Sequence, residues 1–548
     1  MDYKALAALL FPNPLKTPEE WEARYPERNL KEGAVVTRMA PSPTGFVHLG
    51  NVLQGLVSER LAHQSEGVLF LRIEDTDAKR EVPGAVEVLI DALRHYHILF
   101  DEGATKDGDK GDYGPYRQRQ RAEIYHTFAK KLVEEGLAYP CFCSEEELAA
   151  IHEAQAAAKE NFGYYGKYAK WRDKSIEEIE AELKKGTPFV LRFRSNGSIE
   201  NKIRFTDLIK GNLELTENDV DHVLLKSDGI PTYHFAHAVD DHLMRTTHVI
   251  RGDEWLSTLP FHLQLFRALG FKVPKYLHIG PLQRMDGDSK RKLSKRKDPE
   301  AALTYYRQMG YPVMSVYEYL LTVLNSDYED WRRANAEAPA TSFKFSYKKM
   351  NPAGSLFDEA KLKDVSKNVI SRMTAKEVYD DTLAWAKDFD ADFAALLEKY
   401  ADRATAGLAI GRGGKKPRKD FAIWSEVKDY LSYFFDETFA YTDELPENTD
   451  KADVKAALSA FAAVYDEADD NSAWFDKVKA VAENLGYATD MKAYKADPSA
   501  FKGSVADVSA FIRYAVTGRL NSPDLCEIMR ILGKDESVRR LLAFAESL

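Results

Sequence analysis

Residues 35–51, VVTRMAPSPTGFVHLGN, contain the side chains and turns that could bind a phosphate group. The apolar residues before the first proline indicate a short buried strand, the prolines and glycine predict a turn, and the amphipathic run that follows predicts a helix to about Leu61. Such a helix directs unpaired backbone N–H groups and the positive end of its dipole beyond the strand. His48 and Asn51 share one side of its first turn. The alternative is a capped crossover with an exposed histidine.

A carboxylate follows the next predicted strand. In residues 67–77, GVLFLRIEDTD, the nearly continuous apolar run 68–73 is typical of a parallel strand covered on both faces, and Glu74 comes directly after it. Ligands of open α/β sheets bind beyond the carboxyl ends of the strands, so Glu74 could meet a substrate ammonium group. An acidic turn is the alternative.

Residues 221–255 place three more polar side chains on one helix and near the end of a strand. The pattern predicts two short strands with a helix at 233–242 between them. Tyr233 and His237 share a face of this helix, and Arg251 lies where the second strand ends. From the residues alone, a tyrosine and a histidine in this pattern are more typical of a core than of a binding site.

A lysine-rich stretch follows at residues 290–297, where six of the eight side chains are basic. It contains KLSKR at 292–296, and Gly287 and Pro299 on either side indicate a mobile loop. A nuclear-targeting or nonspecific RNA-binding patch is the alternative for a basic run of this kind.

The composition limits the class of protein. The chain has 548 residues, 44% of them hydrophobic and 30% charged, which is enough for several globular domains. No apolar run approaches the roughly 20 residues that span a bilayer, and no signal peptide opens the chain, so we expect a cytoplasmic protein without membrane contact. Three cysteines offer no disulfide framework. The net charge of −11 argues mildly against nucleic-acid binding, although local basic surfaces matter more than the total.

Together the motifs resemble those of class I aminoacyl-tRNA synthetases of the glutamyl and glutaminyl branch. PSPTGFVHLGN, after Thr37 and Arg38, is similar to the adenylate-forming signature, with HLGN where many members have His-Ile-Gly-His. RIEDTD is similar to a hallmark of the glutamyl branch, and KLSKR is similar to its Lys-x-Ser-Lys-Arg loop. The sequence near the C-terminus is similar to the helices of bacterial glutamyl-type enzymes.

The resemblance implies a site for ATP and L-glutamate, with Mg²⁺ accompanying ATP. The implied catalytic residues are His48, Asn51, Lys292 and Lys295. The implied glutamate-binding residues are Arg38, Ala40, Ser42, Glu74, Tyr233, His237 and Arg251. The implied ATP-binding residues are Pro41, Thr44, Gly45, His48, Gly50, Glu254, Lys292, Ser294, Lys295 and Arg296.

Two points of this implied pocket stay open. Guanidinium groups suit carboxylates because their planar fork pairs with them bidentately, but which of Arg38 and Arg251 faces the side-chain carboxylate of glutamate is not assigned. His237 departs from the asparagine of many bacterial relatives. An imidazole can donate one hydrogen bond as asparagine does, but its charge varies near neutral pH.

The resemblance also implies the fold, which is α/β. A class I Rossmann-type catalytic domain would carry an inserted α/β domain that binds the tRNA acceptor end, followed by a mainly α-helical anticodon-binding region. We predict an N-terminal extension at 1–33, the two halves of the catalytic domain at 34–115 and 206–300, the inserted domain at 116–205, a stem-contact domain at 301–375 and the helical region at 376–548. An Ala-rich insertion at 331–341 is predicted to be a surface loop.

Residues 409–421, AIGRGGKKPRKDF, hold five basic side chains and no acid before Asp420. Basic backbone loosened by glycine suits single-stranded loops, so we predict that the anticodon is contacted here. The candidate side chains are Arg412, Lys415, Lys416 and Arg418. A solvated flexible loop is the alternative.

Cys141 and Cys143 raise the question of a structural zinc site, because Cys-x-Cys opens such a site in some bacterial relatives. A structural zinc ion needs four ligands, mostly thiolate or imidazole. The stretch 163–173, which matches the region of the remaining ligands in those relatives, contains neither cysteine nor histidine. We therefore expect no structural zinc and no metal other than the Mg²⁺ of ATP.

The resemblance thus predicts a monomeric enzyme that ligates L-glutamate to the 3′ end of tRNA(Glu) through a glutamyl-adenylate, and it leaves open whether tRNA(Gln) is charged as well. The alternatives are a glutaminyl-tRNA synthetase, whose C-terminal half normally consists of β-barrels, a tRNA-modifying relative without an anticodon domain, and a catalytically silent RNA-binding paralogue. The helical C-terminal half argues against the first two, and the presence of His48 and Lys295 argues against the third.

Overall fold

A computed structural model describes residues 1–548 except 44–46, 78, 80, 295 and 447–448. The chain divides into two units. One consists of Met1–Leu303 and Leu320–Phe357, and the other of Thr304–Tyr319 and Asp358–Leu548. This division does not test the six segments predicted from the sequence, which stay predictions.

All fourteen strands among the described residues lie in the first unit, and they are short. In chain order they are β1 Val36–Met39, β2 Val68–Leu71, β3 Glu102–Thr105, β4 Gly108–Lys110, β5 Ala138–Cys141, β6 Val190–Phe193, β7 Lys202–Asp207, β8 Gly211–Thr216, β9 Val223–Leu225, β10 His248–Gly252, β11 Lys275–Ile279, β12 Leu282–Asp286, β13 Ser289–Lys292 and β14 Ser355–Leu356.

A parallel sheet forms the base of the first unit. β1 pairs with β2 and β2 with β3, while β10 pairs with β11, all in parallel. The N–H of Thr247, directly before β10, donates to the carbonyl of Val36 in β1 over 3.0 Å and joins the two groups of strands. The strand order in the sheet is therefore β3, β2, β1, β10, β11. Successive strands are added in one direction from β1 to β3 and in the opposite direction from β10 to β11, so the strand order reverses between β1 and β10. In such sheets ligands bind beyond the carboxyl ends of the strands at this reversal.

The helices are, in chain order, α1 Tyr3–Leu10, α2 Pro18–Arg24, α3 Leu49–Gln64, α4 Ala85–His95, α5 Ala122–Glu134, α6 Glu145–Ala158, α7 Ile176–Lys184, α8 Tyr233–Leu243, α9 Leu259–Leu269, α10 Leu303–Met309, α11 Val313–Leu324, α12 Tyr328–Ala334, α13 Glu359–Arg372, α14 Ala375–Phe389, α15 Ala391–Lys399, α16 Ala401–Ala409, α17 Trp424–Leu431, α18 Lys451–Val464, α19 Asn471–Asn484, α20 Met491–Ala496, α21 Val505–Thr517, α22 Leu525–Leu532 and α23 Lys534–Ser547. Among the described residues, none of these helices has both the length and the apolar character needed to cross a membrane.

Between α5 and α8 the chain builds a separate antiparallel sheet. β6 pairs with β5 on one side and with β9 on the other. A small core of Tyr139, Cys141, Ile151, Tyr164 and Ala169 packs against this sheet. In the adjacent β7–β8 hairpin, strand β7 ends at Asp207, whose side chain is buried.

The second unit is helical among its described residues. Its apolar core is contributed by α13–α19 and α21–α23, with side chains such as Phe393, Phe434, Phe461 and Ile512 fully or almost fully buried. The predicted α/β catalytic region followed by a helical C-terminal region is therefore confirmed.

Two local predictions from the sequence differ from the structure. Residues 331–341 are not entirely a surface loop, because α12 extends to Ala334 and a short 3₁₀ turn covers Ala340–Ser342. The loop predicted between Gly287 and Pro299 begins as a β-strand, because β12 turns back at Gly287 and pairs antiparallel with β13. Gly287 has a φ of +59°, a left-handed conformation that glycine adopts at no steric cost.

Candidate active site

Two adjoining cavities open beyond the carboxyl ends of β1, β2 and β10. The first, called here the helix-end cavity, has a volume of about 360 Å³ and is lined by the start of α3, the ends of β10 and β11, and β13. The second, called here the arginine cavity, has a volume of about 820 Å³ and is lined by residues that follow β1, β2 and β10. Gln54, Gly252 and Glu254 line both cavities, so the two meet at these residues.

The helix-end cavity is built around the first turn of α3. The N–H of His48 donates to the side-chain oxygen of Asn51 over 3.0 Å, which explains why the helix begins at Leu49. A Cβ atom on Gly50 would lie 2.9 Å from the His48 ring, so the close approach of the imidazole requires glycine there. Because the first N–H groups of a helix have no intrahelical partner, this turn directs donors and positive potential at the cavity.

A basic hairpin forms another wall of the helix-end cavity. The ammonium of Lys292, at the end of β13, lies 3.6 Å from the carboxylate of Glu254, and both side chains are mostly exposed. The turn after β13 is anchored by Asp298, which accepts from Arg291 over 2.6 Å and from the N–H of Ser294 over 2.8 Å. The bond from Arg291 lowers the pKa of Asp298 to about 2.

The arginine cavity contains a buried network of charges. Arg38, in β1, donates from Nε to both carboxylate oxygens of Asp241 over 3.2 and 3.3 Å. Arg72 donates to Asp241 over 2.7 Å and to Glu74 over 3.1 Å. Burial alone would raise the pKa of Asp241, but the two guanidinium groups outweigh it and hold that pKa well below its usual range. Burial dominates at Glu74, where it raises the pKa to about 7 against the opposing effect of Arg72.

Arg251, in β10, has neutral hydrogen-bond partners. Its Nε donates to His278 over 3.0 Å, its Nη1 to His262 over 3.2 Å and its Nη2 to the carbonyl of Trp255 over 3.5 Å. The guanidinium also lies 4.8 Å from the ring centroid of Tyr276. Arg251 is only 3% exposed, yet no carboxylate among the described residues lies within ion-pair distance of it. It is a buried cation that lacks a counter-ion of its own within the described part of the chain.

The cavities bring together most of the residues predicted from the sequence. The helix-end cavity is lined by His48, Gly50, Asn51, Glu254 and Lys292. The arginine cavity is lined by Arg38, Ala40, Ser42, Glu74, Tyr233, Arg251 and again Glu254. Three predicted residues, Thr44, Gly45 and Lys295, lie outside the described residues.

Four predicted residues line neither cavity. They are Pro41, His237, Ser294 and Arg296. His237 is fully buried behind Tyr233, with its ring stacked at a centroid distance of 5.9 Å. Its Nε2 lies 2.8 Å from the hydroxyl of Tyr276, and its Nδ1 lies 2.6 Å from Asp241 but off the direction of a hydrogen bond. Burial lowers the pKa of His237 to about 4, so the imidazole is neutral at physiological pH.

Sequence reasoning did not single out several residues that surround the arginines. Asp241 and Arg72 form the ion pairs with Arg38 and Glu74, and His262 and His278 accept from Arg251. His262 lies in the apolar run PFHLQLF of α9, where a lone histidine looks like a core residue. One indication of this network was present in the sequence, namely the two adjacent acidic residues Asp240 and Asp241. They are buried in α8, one turn after His237.

In the basic segment 409–421 of the second unit, two arginines form hydrogen bonds within the unit, whereas two lysines are exposed. Arg412 donates to the carbonyls of Leu408 and Ile370 over 2.7 and 2.6 Å. Arg418 donates to Asp420 over 2.6 Å. Lys415 and Lys416 are exposed and form no hydrogen bond or ion pair with a residue that the structure describes.

The two cysteines of the inserted region lie beside a tyrosine. The sulfur of Cys143 is 3.5 Å from the hydroxyl of Tyr164, and Cys141 is buried in β5. Within the described ranges, no three or more histidine, cysteine, aspartate or glutamate side chains are grouped so that they could hold a metal ion.

A parallel sheet with two cavities at the reversal of strand order, followed by a helical C-terminal region, agrees with the architecture expected for a class I tRNA synthetase. Residues 34–364 match the family model for the catalytic domain of class I tRNA synthetases (E and Q), and residues 392–545 match the model for an anticodon binding domain. The chain belongs to this family of class I tRNA synthetases.

Named relatives match over nearly the whole chain. A glutamate–tRNA ligase of Acetivibrio thermocellus is 51% identical over 546 residues, which cover 99% of this chain and all of the relative. A glutamate–tRNA ligase of Clostridium perfringens is 50% identical, covering 98% of this chain and all of the relative. The crystal structure of a glutamate tRNA ligase from Elizabethkingia meningosepticum, in complex with its amino acid, is 25% identical with a TM-score of 0.73, covering 94% and 99% of the two chains.

Proposed function

We propose that this chain ligates L-glutamate to the 3′ end of tRNA(Glu), using ATP and passing through a glutamyl-adenylate. The observation that carries the proposal is the pair of adjoining cavities. One holds a buried guanidinium that lacks a carboxylate partner among the described residues, and the other lies at the N-terminus of α3. An amino acid in the first cavity and a triphosphate in the second would meet at Gln54, Gly252 and Glu254.

Arg251 would bind the side-chain carboxylate of glutamate. Its charge is buried and its described partners are neutral, so an entering carboxylate would supply the missing counter-ion. The α-carboxylate has to stay reactive, and a full ion pair with a buried arginine would reduce its nucleophilicity. Arg38 suits the α-carboxylate better, because its charge is already shared with Asp241.

Glu74 and Ser42 would hold the ammonium group of the substrate. Both line the arginine cavity, and Glu74 is oriented by Arg72 over 3.1 Å. Burial raises the pKa of Glu74 to about 7, so the carboxylate is only partly ionised in the free protein at neutral pH. An ammonium group beside Glu74 would favour the ionised carboxylate and so lower the pKa of Glu74.

The phosphates of ATP would lie at the start of α3. His48 and the other residues of the first turn line the helix-end cavity, and Lys292 lines it from the hairpin. By family resemblance, Lys295 would act with Lys292 on the departing pyrophosphate. Mg²⁺ would neutralise phosphate charge. The described residues contain no cage of metal ligands, which suits an ion held mainly by phosphate and water.

Two displacements would follow from this arrangement. In the first, an oxygen of the α-carboxylate attacks the α-phosphorus of ATP, the bond to the β-phosphate oxygen breaks, and pyrophosphate leaves. In the second, a ribose hydroxyl of the terminal tRNA adenosine attacks the activated carbonyl, loses its proton, and AMP leaves. The carboxylate is already a nucleophile, so catalysis rests on positioning and on stabilising charge rather than on a nucleophilic triad.

The second unit would contact the tRNA anticodon. Lys415 and Lys416 are the best candidates of the basic segment, because Arg412 and Arg418 are engaged by groups of their own unit. Exposed lysines without protein partners are suited to phosphate contacts, whose strength falls as salt rises.

The proposal is tested by charging purified tRNA(Glu) and tRNA(Gln) with radiolabelled glutamate, in parallel with radiolabelled glutamine. Glutamate on tRNA(Glu) is the expected result. Glutamate on tRNA(Gln) as well would identify an enzyme that serves both tRNAs. Charging with glutamine, or of neither tRNA, would refute the proposal.

A further inference from the structure

Two chains of hydrogen bonds connect Arg251 to residues outside the arginine cavity. We infer that His278 with Asp207, and His262 with His234, are positioning residues that aim the guanidinium of Arg251 at the substrate carboxylate. The inference rests on the proposed function, because it assigns these residues a role in binding glutamate. None of these four residues lines either cavity.

The first chain runs from Arg251 through His278 to Asp207. Arginine is only a donor, so the Nε2 atom of His278, which lies 3.0 Å from Arg251 Nε, must accept. The ring proton is then on Nδ1, which lies 2.7 Å from a carboxylate oxygen of Asp207. Asp207 is fixed in turn, because its other oxygen accepts from the N–H groups of Ile209 and Lys210 over 2.9 and 2.8 Å. The carboxylate therefore sets the tautomer of His278 that Arg251 needs.

The second chain runs from Arg251 through His262 to His234. The Nδ1 atom of His262 lies 3.2 Å from Arg251 Nη1 and must accept for the same reason. Its Nε2 then carries the proton and donates to Nδ1 of His234 over 2.8 Å. In both chains the histidine next to Arg251 therefore presents an unprotonated ring nitrogen to the guanidinium.

These groups are buried, except for His234, which is partly exposed. His262 and His278 are fully buried, and Asp207 is nearly so. Burial lowers the pKa of His262, of His278 and of His234, which keeps the three imidazoles neutral beside the cation. Neutral acceptors orient Arg251 without cancelling its charge, whereas Asp241 partly cancels the charge of Arg38.

The test is a set of three variants, assayed by steady-state charging of tRNA(Glu). Asp207→Asn keeps the acceptor for Ile209 and Lys210 but presents an amide N–H to His278. The histidine then shifts its proton to Nε2, where it opposes the N–H of Arg251. We expect KM for L-glutamate to rise at least tenfold, with KM for ATP within twofold of the parent.

His262→Leu and His262→Asn form a matched pair of similar size. The asparagine side chain retains an acceptor near the position of Nδ1, and leucine does not. We expect the leucine variant to raise KM for glutamate at least tenfold and the asparagine variant to stay within threefold of the parent. A role in packing alone would move both variants equally, and that result would overturn the inference.

Each outcome separates this inference from the proposed function. A parent protein that does not charge tRNA(Glu) with glutamate refutes the proposed function. The inference alone is refuted if the parent protein charges tRNA(Glu) with glutamate and the Asp207→Asn and His262→Leu variants retain the parental KM for glutamate. Both variants must have the parental melting temperature for this comparison. Parallel increases in KM for glutamate and KM for ATP would also overturn it, because they indicate a general disturbance of the site.

Discussion

The two cavities of the site hold their charges in opposite ways. In the arginine cavity Arg38 and Arg251 are 2% and 3% exposed. Their guanidinium groups are held by the buried side chains of Asp241, His262 and His278. In the helix-end cavity the side chains of Lys292 and Glu254 are 62% and 54% exposed and meet over 3.6 Å. One cavity is preorganised by the fold, and the other depends on side chains that solvent can reach.

This difference suggests a division of labour. Buried and oriented charges discriminate between ligands, because a ligand that leaves one of them unpaired loses several kcal/mol. Exposed lysines on a hairpin discriminate less, since water and salt compete for them, but they can follow phosphate charge as it moves during the reaction. We therefore expect substitutions in the arginine cavity to act on glutamate binding and substitutions on the hairpin to act on the chemical step.

The largest effect is expected from Arg251→Ala. The variant leaves a substrate carboxylate without its buried partner, which costs about 3 to 5 kcal/mol. Measured kcat/KM for glutamate should fall accordingly, while KM for ATP changes little. Arg333→Ala, at an exposed arginine paired with Asp330, serves as the control and should behave as the parent. A glutamate KM within tenfold of the parent would place the amino-acid site elsewhere.

Lys292→Ala is expected to act on the chemical step. Removing one cation that faces the phosphates should slow adenylate formation by roughly 10²-fold, as the loss of one electrostatic contact to a transition state typically does. Single-turnover activation in the presence of tRNA measures this rate. We expect the same for Lys295→Ala by family resemblance. Lys297→Ala, in the same basic run, should keep the parental rate, and an equal loss there would mean that only the total charge of the run matters.

The pH dependence of glutamate binding tests the role of Glu74. Burial raises its pKa to about 7, and only the ionised carboxylate can pair with an ammonium group. KM for glutamate should therefore be lowest above pH 7 and rise about tenfold for each pH unit below it. Glu74→Gln should bind glutamate more weakly and show no such dependence between pH 5.5 and 8.5. A parent KM that does not change over this range would contradict the assignment.

The smallest effect is expected at His63, which lines neither cavity. Bonds to Asp101 and Glu59 raise its pKa to about 9. A raised histidine pKa stabilises the fold fully below the unfolded value of about 6.5, and this contribution is lost as the pH rises through 9. His63→Gln should lower the unfolding free energy by about 1 kcal/mol near pH 6 and by less near pH 10. Thermal unfolding at both pH values provides the measurement, and glutamate KM should be unaffected.

Local sequence patterns predict the part of the site that lies at the ends of strands and helices. His48, Glu74 and Arg251 lie at or just beyond the ends of strands and at the start of a helix, and local apolar patterns place these ends to within two residues. The family motifs then separate them from chance polar residues. Local patterns also predict α8 closely, since the run from Tyr233 has a clear helical period.

The partners of Arg251 could not be predicted in this way. His262 and His278 follow it by 11 and 27 residues, and Asp207 precedes His278 by 71. These contacts depend on how β7, α9 and β11 pack around β10, which no local periodicity encodes. The family resemblance implied that His237 belongs to the pocket, whereas the residues alone made it more typical of a core. In the structure the ring of His237 is buried and stacked against Tyr233, and it lines neither cavity.

The role of Arg251 is tested most simply by the affinity of the unmodified protein for two amino acids in the absence of tRNA, measured by titration calorimetry. L-glutamate and L-glutamine differ only in the group that would meet Arg251. We expect glutamine to bind at least about 100-fold more weakly, because its amide cannot serve as the counter-ion of a buried guanidinium. Equal affinities would show that Arg251 does not bind the side-chain carboxylate.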